Sequence, residues 1–220
     1  GIDSSINDIR WKDISNRIYG RIDPIAEGGK EYRENLPNVT VYEGHAKFLD
    51  NKVIEVNGNQ LFGHNIVIAT GARPFTPPIP GLSETSYQTS DSIMRIDSLP
   101  KTLSIIGGGY IATEIAHIFS SFGCQVTILA RGDRLLRAQD KEIGLRFTES
   151  FRNRVDVHLN VDIQNVSEDE FGGVSISCVT PEGSMSLSSE MLLVATGRVP
   201  TSDQLNLGST DLLTDCGYIV

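Results

Sequence analysis

The sequence predicts an α/β fold in which a parallel-sheet unit is inserted into a second, β-rich unit. Three observations carry this. Residues 103–137 read as a strand, a glycine turn, a helix and a second strand. The phrase Ala69-Thr70-Gly71 follows one apolar run, and Ala195-Thr196-Gly197 follows another, so the chain passes the same kind of crossing twice. Two stretches of short alternating strands, separated by turn residues, read as one small antiparallel β-meander for each unit.

The glycine turn is the most informative element. Gly107, Gly109 and Ala112 fall on the G-x-G-x-x-G/A spacing directly after the apolar residues 103–106. Ile111, Ile115, Ile118, Phe119 and Phe122 then recur at helical intervals, and Gly123 stops the helix. This spacing suits a dinucleotide pyrophosphate, which the free N–H groups and positive dipole end of a helix N-terminus stabilise. Gly107 would make the tight turn, Gly109 would let the backbone approach the phosphates, and Ala112 would let the helix pack on its strand. The competing reading is an ordinary strand-to-helix turn of another α/β protein. A second strand at 125–129 follows at the distance a Rossmann-like NAD(P)-binding domain requires.

The end of that strand bears on which dinucleotide binds. An NAD site places Asp or Glu about 20 residues beyond the glycines, where this chain has Ala130. Arg131, Arg134 and Arg137 follow, in a protein of net charge −9. Arginine forks match a 2'-phosphate in charge and geometry better than they match a ribose diol, which points to NADPH. The alternative leaves these arginines as a solvated loop, with Asp133 reaching the ribose.

At 220 residues and 39% hydrophobic content, the chain can form one large or two modest domains. No apolar run approaches the ~18 residues of a membrane span, and no basic-then-apolar leader is visible, so a cytoplasmic protein is expected. The acidic balance argues against a nucleic-acid surface. Cys124, Cys178 and Cys216 lack the spacing of a zinc site or redox dithiol and read as buried structural thiols. His45, His64, His117 and His158 show no ligand spacing, so no metal site is expected.

In chain order, residues 1–36 read as two amphipathic helical pieces. Trp11, Ile14, Ile18 and Ile22 share one face, Asp23-Pro24 marks the break, and Pro37 closes the second piece. Strand signals follow at 39–42, 47–49, 52–56 and 60–62, and an apolar strand at 65–69. Pro77, Pro78 and Pro80-Gly81 read as a linker. Residues 140–152 form a helical pattern with Ile143, Phe147 and Phe151 on one stripe; a short strand at 155–158 and the second meander at 163–187 precede the apolar strand 191–194.

The two Ala-Thr-Gly phrases and the Gly107-Gly108-Gly109-Tyr110-Ile111-Ala112-Thr113-Glu114 entrance agree in order and context with one family. The chain closely resembles the class I flavin-dependent pyridine nucleotide-disulfide oxidoreductases, which include glutathione reductase, dihydrolipoamide dehydrogenase and mercuric reductase. The resemblance runs from about Trp11 to Val220. Residues 20–26, 87–96 and 135–137 are most similar to the mycothione reductase branch.

The resemblance implies roles for particular residues. Gly107, Gly108, Gly109, Tyr110, Ile111 and Ala112 would line the NADPH pyrophosphate. Tyr110 would cover the nicotinamide face of the flavin and swing aside for NADPH. Glu114 would lie near the nicotinamide amide and pair with a flavin-domain lysine. Arg131 and Arg137 would grip the 2'-phosphate, and Gly197 would fall close to the nicotinamide. On the flavin side, His45 and Ala46 would meet the adenine of FAD, Thr70 and Gly71 would contact FAD at the first crossing, and Arg198 would lie near the flavin. Read from the residues alone, Tyr110 is an exposed helix-start tyrosine, Glu114 a solvated carboxylate and Arg198 a structural arginine at a junction.

The departures are equally specific. The family's FAD glycine motif and C-x4-C redox pair, its second flavin-binding segment and its dimerisation domain with a His-Glu pair do not occur in these 220 residues. The expectation is therefore a Rossmann-like NADPH-binding domain, residues 100–196, inserted into a partial FAD-binding domain, residues 1–99 and 197–220, with the FAD site incomplete. The implied activity is that of the central portion of an NADPH-dependent flavoprotein disulfide reductase, homodimeric when intact and acting on a small disulfide, mycothione. A dihydrolipoamide dehydrogenase-like or mercuric reductase-like enzyme, or a non-catalytic dinucleotide-binding module, are the alternatives.

Overall fold

A computed structural model describes residues 1, 3 and 6–220. Helix α1 spans Trp11–Glu34 and is followed by strands β1 (Ala46–Asp50), β2 (Val53–Val56), β3 (Asn59–Phe62) and β4 (Ala72–Pro74). Then come β5 (Thr102–Ile106), α2 (Tyr110–Ser121), β6 (Gln125–Ala130), α3 (Lys141–Phe151) and β7 (Asp156–Leu159). Strands β8 (Asp162–Glu168), β9 (Val174–Thr180), β10 (Gly183–Ser189) and β11 (Met191–Val194) precede β12 (Arg198–Pro200), β13 (Thr214–Asp215) and β14 (Tyr218–Ile219). Contacts divide the chain into two compact units, Gly1–Ser15 with Pro74–Gly197, and Asn16–Arg73 with Arg198–Val220.

The first unit is built on a four-stranded sheet of order β11-β5-β6-β7, parallel throughout. The chain steps outward through β5, β6 and β7, then returns on the other side of β5 as β11, so the order reverses between β5 and β11. That is the strand order of half a doubly wound sheet, a fold whose general ligand position is the crevice beyond the strand ends where the order reverses. Strand β5 buries Leu103, Ser104, Ile105 and Ile106 in succession, as a strand covered on both faces must. Helix α2 covers one face through Ile115, Ala116 and Phe119. Each large side chain buried as fully as Phe119 contributes roughly 1.5–3 kcal/mol. Gly123, at φ +87°, ends the helix in the left-handed conformation that favours glycine. Asp140 caps α3 by accepting from Glu142 N at 2.9 Å and Ile143 N at 3.2 Å.

The expected meander is the antiparallel sheet β10-β9-β8, whose Val166, Ile176 and Cys178 share a second core with Leu82, Ile106 and Leu192. The proline-rich stretch is docked rather than loose: Pro80 O accepts from Val166 N at 2.9 Å. Gly81 approaches so closely that a Cβ there would lie 1.9 Å from Val166 O. Trp11 belongs to this unit. Its Nε1 donates to Ile96 O at 2.7 Å, and its ring packs on Phe119 and Phe122 at centroid distances of 5.7 and 6.1 Å.

The second unit holds the other meander, β1-β2-β3, with Phe48 paired to Ile54 and Val56 to Asn59. Asn57 and Gly58, at φ 50° and 81°, form the two-residue turn with positive φ at both positions that suits the twist of a hairpin. Phe48 N donates to Leu205 O at 2.8 Å, and Phe48, Val56 and Leu205 are buried. Strands β4 and β12 pair with each other, as do β13 and β14.

Several expectations change in the structure. Helix α1 is one piece and runs through Pro24; the carbonyl that Pro24 leaves without a donor belongs to Gly20, which is exposed and open to water. Its apolar face is buried only at Trp11, while Ile22 is 51% exposed. The part of the N-terminal helix expected at positions 2, 4 and 5 lies outside the described residues. Residues 39–42 and 65–69 are not strands. Each has strand composition, but no ladder partner among the described residues, and Val67 is 89% exposed. On α3, Phe151 is buried while Ile143 faces solvent.

Candidate functional site

The glycine turn lies at the carboxyl end of β5. Gly107 has φ +134°, and a Cβ there would meet Ala195 O at 2.2 Å, so the turn passes directly beneath the end of β11. Gly107 N donates to Leu129 O at 3.0 Å and Ala195 N to Ile106 O at 2.8 Å, which ties the three strand ends together. Gly108 is packed from the other side, since a Cβ there would touch that of Ala130 at 3.0 Å. Gly109 differs from both. It precedes α2 in an extended conformation, makes no side-chain cap, and has nothing within 4 Å of where a Cβ would stand. The opening of α2 therefore carries no side-chain cap, and the position of Gly109 is open, as a helix N-terminus that receives a pyrophosphate requires.

The loop after β6 is fastened to this turn by a hydrogen bond from Leu136 N to Gly108 O at 2.7 Å. Leu136 adopts φ 52°, and Leu135 is buried beneath it, with its N–H bonded to Thr148 Oγ1 at 2.9 Å. Ala130, where an acidic residue would hold a ribose diol, is buried at the base. Arg131 and Arg137 are exposed on the loop, whereas Arg134 is folded inward against Gly144 of α3. Tyr110 is 61% exposed at the start of α2. One turn further, exposed Glu114 lines a groove between α2 and α3 with His117, Phe147 and Arg154. Gly197, at φ +138°, leaves β11 with its carbonyl accepting from Phe75 N at 2.9 Å. Gly107, Gly108, Gly109, Tyr110, Ile111, Ala112, Glu114, Arg131, Arg137 and Gly197 all belong to the first unit.

The flavin-side candidates, His45, Ala46, Thr70, Gly71 and Arg198, all belong to the second unit. They are organised by a short helix at Thr201–Gln204. His45 Nε2 bonds Gln204 O at 2.9 Å, and the Thr201 hydroxyl donates to Thr70 O at 2.6 Å and Gly71 O at 3.0 Å. Ala46 is at the head of β1, opposite Val56. Arg198 donates through Nη2 to Ala72 O. Arg73 grips Asp203 with both guanidinium nitrogens, at 2.9 and 2.7 Å. Its hydrogen bond, aided by its charge, holds the Asp203 carboxyl below the usual carboxylate range.

The pyridine nucleotide-disulphide oxidoreductase family matches residues 9–220. The chain belongs to this family. It is 36% identical over 226 aligned residues to the mycothione reductase of Mycobacterium tuberculosis (strain ATCC 25618 / H37Rv), covering 100% of this chain and 48% of that protein. It is 37% identical over 172 residues to the mercuric reductase of Staphylococcus aureus, covering 78% of this chain and 31% of that one. Among solved structures, the HOCl-induced flavoprotein disulfide reductase RclA from Escherichia coli superposes with a TM-score of 0.82 at 28% identity, over 94% of this chain and 47% of that one. The chain spans about half the length of the curated mycothione reductases it matches.

Family membership implies a nicotinamide cofactor and FAD. The open Gly109 position and the unobstructed start of α2 fit the first. Among the described residues, no group of three or more His, Cys, Asp or Glu is placed to hold a metal ion, and no helix is long and apolar enough to cross a membrane. Of the three thiols expected to be buried, Cys124 and Cys178 are; burial, with a contribution from the Glu190 carboxylate, pushes Cys124 up to about 11. Cys216 is the correction. It is exposed, because with Gly217 it forms the positive-φ turn between β13 and β14, which projects its side chain away from any core.

Sequence reasoning missed Thr201, Asp203 and the partnership of Asp133 with the arginines. Nothing local in sequence links Arg73 to Asp203, which lie 130 residues apart.

Proposed function

We propose that this chain is the NADPH-binding domain, with adjoining FAD-binding segments, of a flavoprotein disulfide reductase that acts on mycothione. The observation that carries the reading is the Leu136 N to Gly108 O hydrogen bond, which joins the arginine loop to the glycine turn. One rigid edge then offers N–H donors for a pyrophosphate and guanidinium groups for a 2'-phosphate. Residues 100–196 are assigned to the NADPH domain, and residues 1–99 and 197–220 to the FAD domain.

In enzymes of this kind NADPH supplies hydride to FAD, whose electrons reduce a cysteine pair and then the disulfide. The residues of this chain bind and orient. Gly107, Gly108, Gly109, Ile111 and Ala112 form the pyrophosphate cradle, and Arg131 and Arg137 hold the 2'-phosphate. Tyr110 is the mobile cover, its exposure leaving it free to swing, while Glu114 and Gly197 position the nicotinamide. His45, Ala46, Thr70, Gly71 and Arg198 approach FAD. The whole enzyme is assigned to the cytoplasm as a homodimer.

Mycothione is favoured because similarity to the mycothione reductase extends over the full chain, against 78–89% for the mercuric reductases. The mercuric reductase likeness supports a second reading, with a metal-ion substrate. Assaying the full-length reductase with mycothione and with Hg(II) separates them, since turnover of Hg(II) alone eliminates the disulfide reading. Cofactor choice is tested by titrating the full chain with NADPH and NADH. NADPH is expected to bind more tightly, and Arg131→Ala and Arg137→Ala each to weaken NADPH roughly 10-fold or more through loss of a charge-assisted contact while sparing NADH. Equal affinities, or arginine variants without effect, defeat the assignment.

A further inference from the structure

Asp133 sits among the arginines of the nucleotide loop as their resident counter-ion. Its Oδ1 lies 3.1 Å from Nη1 of Arg134 and 3.6 Å from Nε of Arg137. The two cations are not equivalent. Arg134 has a side chain only 14% exposed, donates through Nη2 to Arg137 O at 3.4 Å, and buries its Nε without a partner against Gly144. It is a brace of the loop. Arg137 is 61% exposed and lies back across Gly132, where a Cβ would stand 2.2 Å from Arg137 Cδ. The absence of a side chain at position 132 is what lets Arg137 reach Asp133. Arg131 makes no ion pair among the described residues.

We propose that Asp133 is a specificity-determining residue of the nucleotide site, holding down its preference for a 2'-phosphorylated dinucleotide. This rests on the NADPH reading above. The charges decide the direction. With Arg137 drawn to Asp133, the loop offers a 2'-phosphate one uncommitted guanidinium, Arg131, and a carboxylate beside the other. A phosphate of charge about −2 competes with that carboxylate for Arg137 and is repelled by it. The Asp133–Arg137 contact is long, solvent-exposed and therefore weak, so a phosphate dianion displaces it, at a cost in affinity. A ribose diol carries no charge, takes no such penalty, and can donate its hydroxyls to the carboxylate. Asp133 thus narrows the gap between the two dinucleotides from both sides.

The test is Asp133→Asn in the full chain, with dissociation constants for NADPH, NADH and 2',5'-ADP measured by calorimetry at low and at physiological salt. Because Asp133 is exposed and Asn is nearly isosteric, folding is expected to be unchanged. NADPH and 2',5'-ADP should bind tighter by on the order of tenfold at low salt, less at higher salt as screening sets in. NADH should bind no better or slightly worse. Damage to the loop would loosen binding, so tightening is a result a merely structural role would not produce. Unchanged or weakened NADPH binding overturns the proposal and makes Asp133 an organiser of the loop. Arg131→Ala and Arg137→Ala, run beside it, keep the two readings apart. If they weaken NADPH while Asp133→Asn does not strengthen it, only the role of Asp133 falls; if they have no effect, the NADPH assignment falls with it.

Discussion

Gly107 and Gly109 stand two residues apart in one motif, yet the structure gives them separable jobs, and alanine at each should fail in a different assay. At Gly107 a methyl would stand 2.2 Å from Ala195 O and 2.6 Å from Ala195 C, about 1 Å inside an ordinary C···O contact. Neither side can yield freely, because Ala195 N is bonded to Ile106 O and Gly107 N to Leu129 O. The φ of +134° adds a conformational penalty that only glycine escapes. With about 1–2 kcal/mol for the backbone and about 1–3 kcal/mol for overpacking, Gly107→Ala should lose about 2–5 kcal/mol. Gly109, at φ −84° with nothing within 4 Å, can become alanine without strain. Its stability should stay level or rise by up to ~1 kcal/mol through the unfolded state, while the added methyl holds a pyrophosphate away from the α2 N–H groups and weakens NADPH by on the order of tenfold or more. Urea midpoints at constant slope read the first effect and NADPH titration of the full chain reads the second. The reasoning is refuted if Gly107→Ala unfolds at the parent midpoint, or if Gly109→Ala binds NADPH as tightly as the parent.

Trp11→Phe should cost about 2 kcal/mol in urea unfolding, because it removes the 2.7 Å bond to Ile96 O and part of the ring contact with Phe119 and Phe122. The thiols should react in order of exposure: a thiol reagent at pH 8 modifies Cys216 at once, but Cys124 and Cys178 only on unfolding. The thiol of Cys124 ionises near 11 when folded and near 9.0 when unfolded. Its contribution to stability is therefore complete below pH 9 and is lost as the pH rises toward 11, so Cys124→Ala should flatten the decline of the urea midpoint over that interval.

How much of this was legible follows from the range of the interactions involved. The parallel core could be read because β5, β6 and α2 carry their signals within a few residues: an apolar run, a glycine turn, a 3.6-residue stripe and a stopping glycine. Both meanders could be read because turns such as Asn57-Gly58 are local. The segments at 39–42 and 65–69 differ from their expected strands for the converse reason. Their apolar composition is that of strands, but a strand exists only against a partner, and composition says nothing about whether the partner is there. Pro24 reads as a break because a helix interior normally cannot spare the bond; in the structure Gly20 is exposed, so its carbonyl is not buried without a donor.

The candidate site divides along the same line. The sequence by itself determined the glycine turn, its helix and the neighbouring arginines, since spacing and residue type along one short segment specify where a helix N-terminus and its cations lie. Only the tertiary structure decided what each does. Gly107 is compulsory because Ala195, far along the chain, passes above it, and Gly109 is open because nothing does. Arg134 is a brace and Arg137 an exposed arm paired to Asp133 because one meets Gly144 of α3 and the other folds across Gly132. Those distinctions depend on distances between residues remote in sequence, which no local pattern encodes.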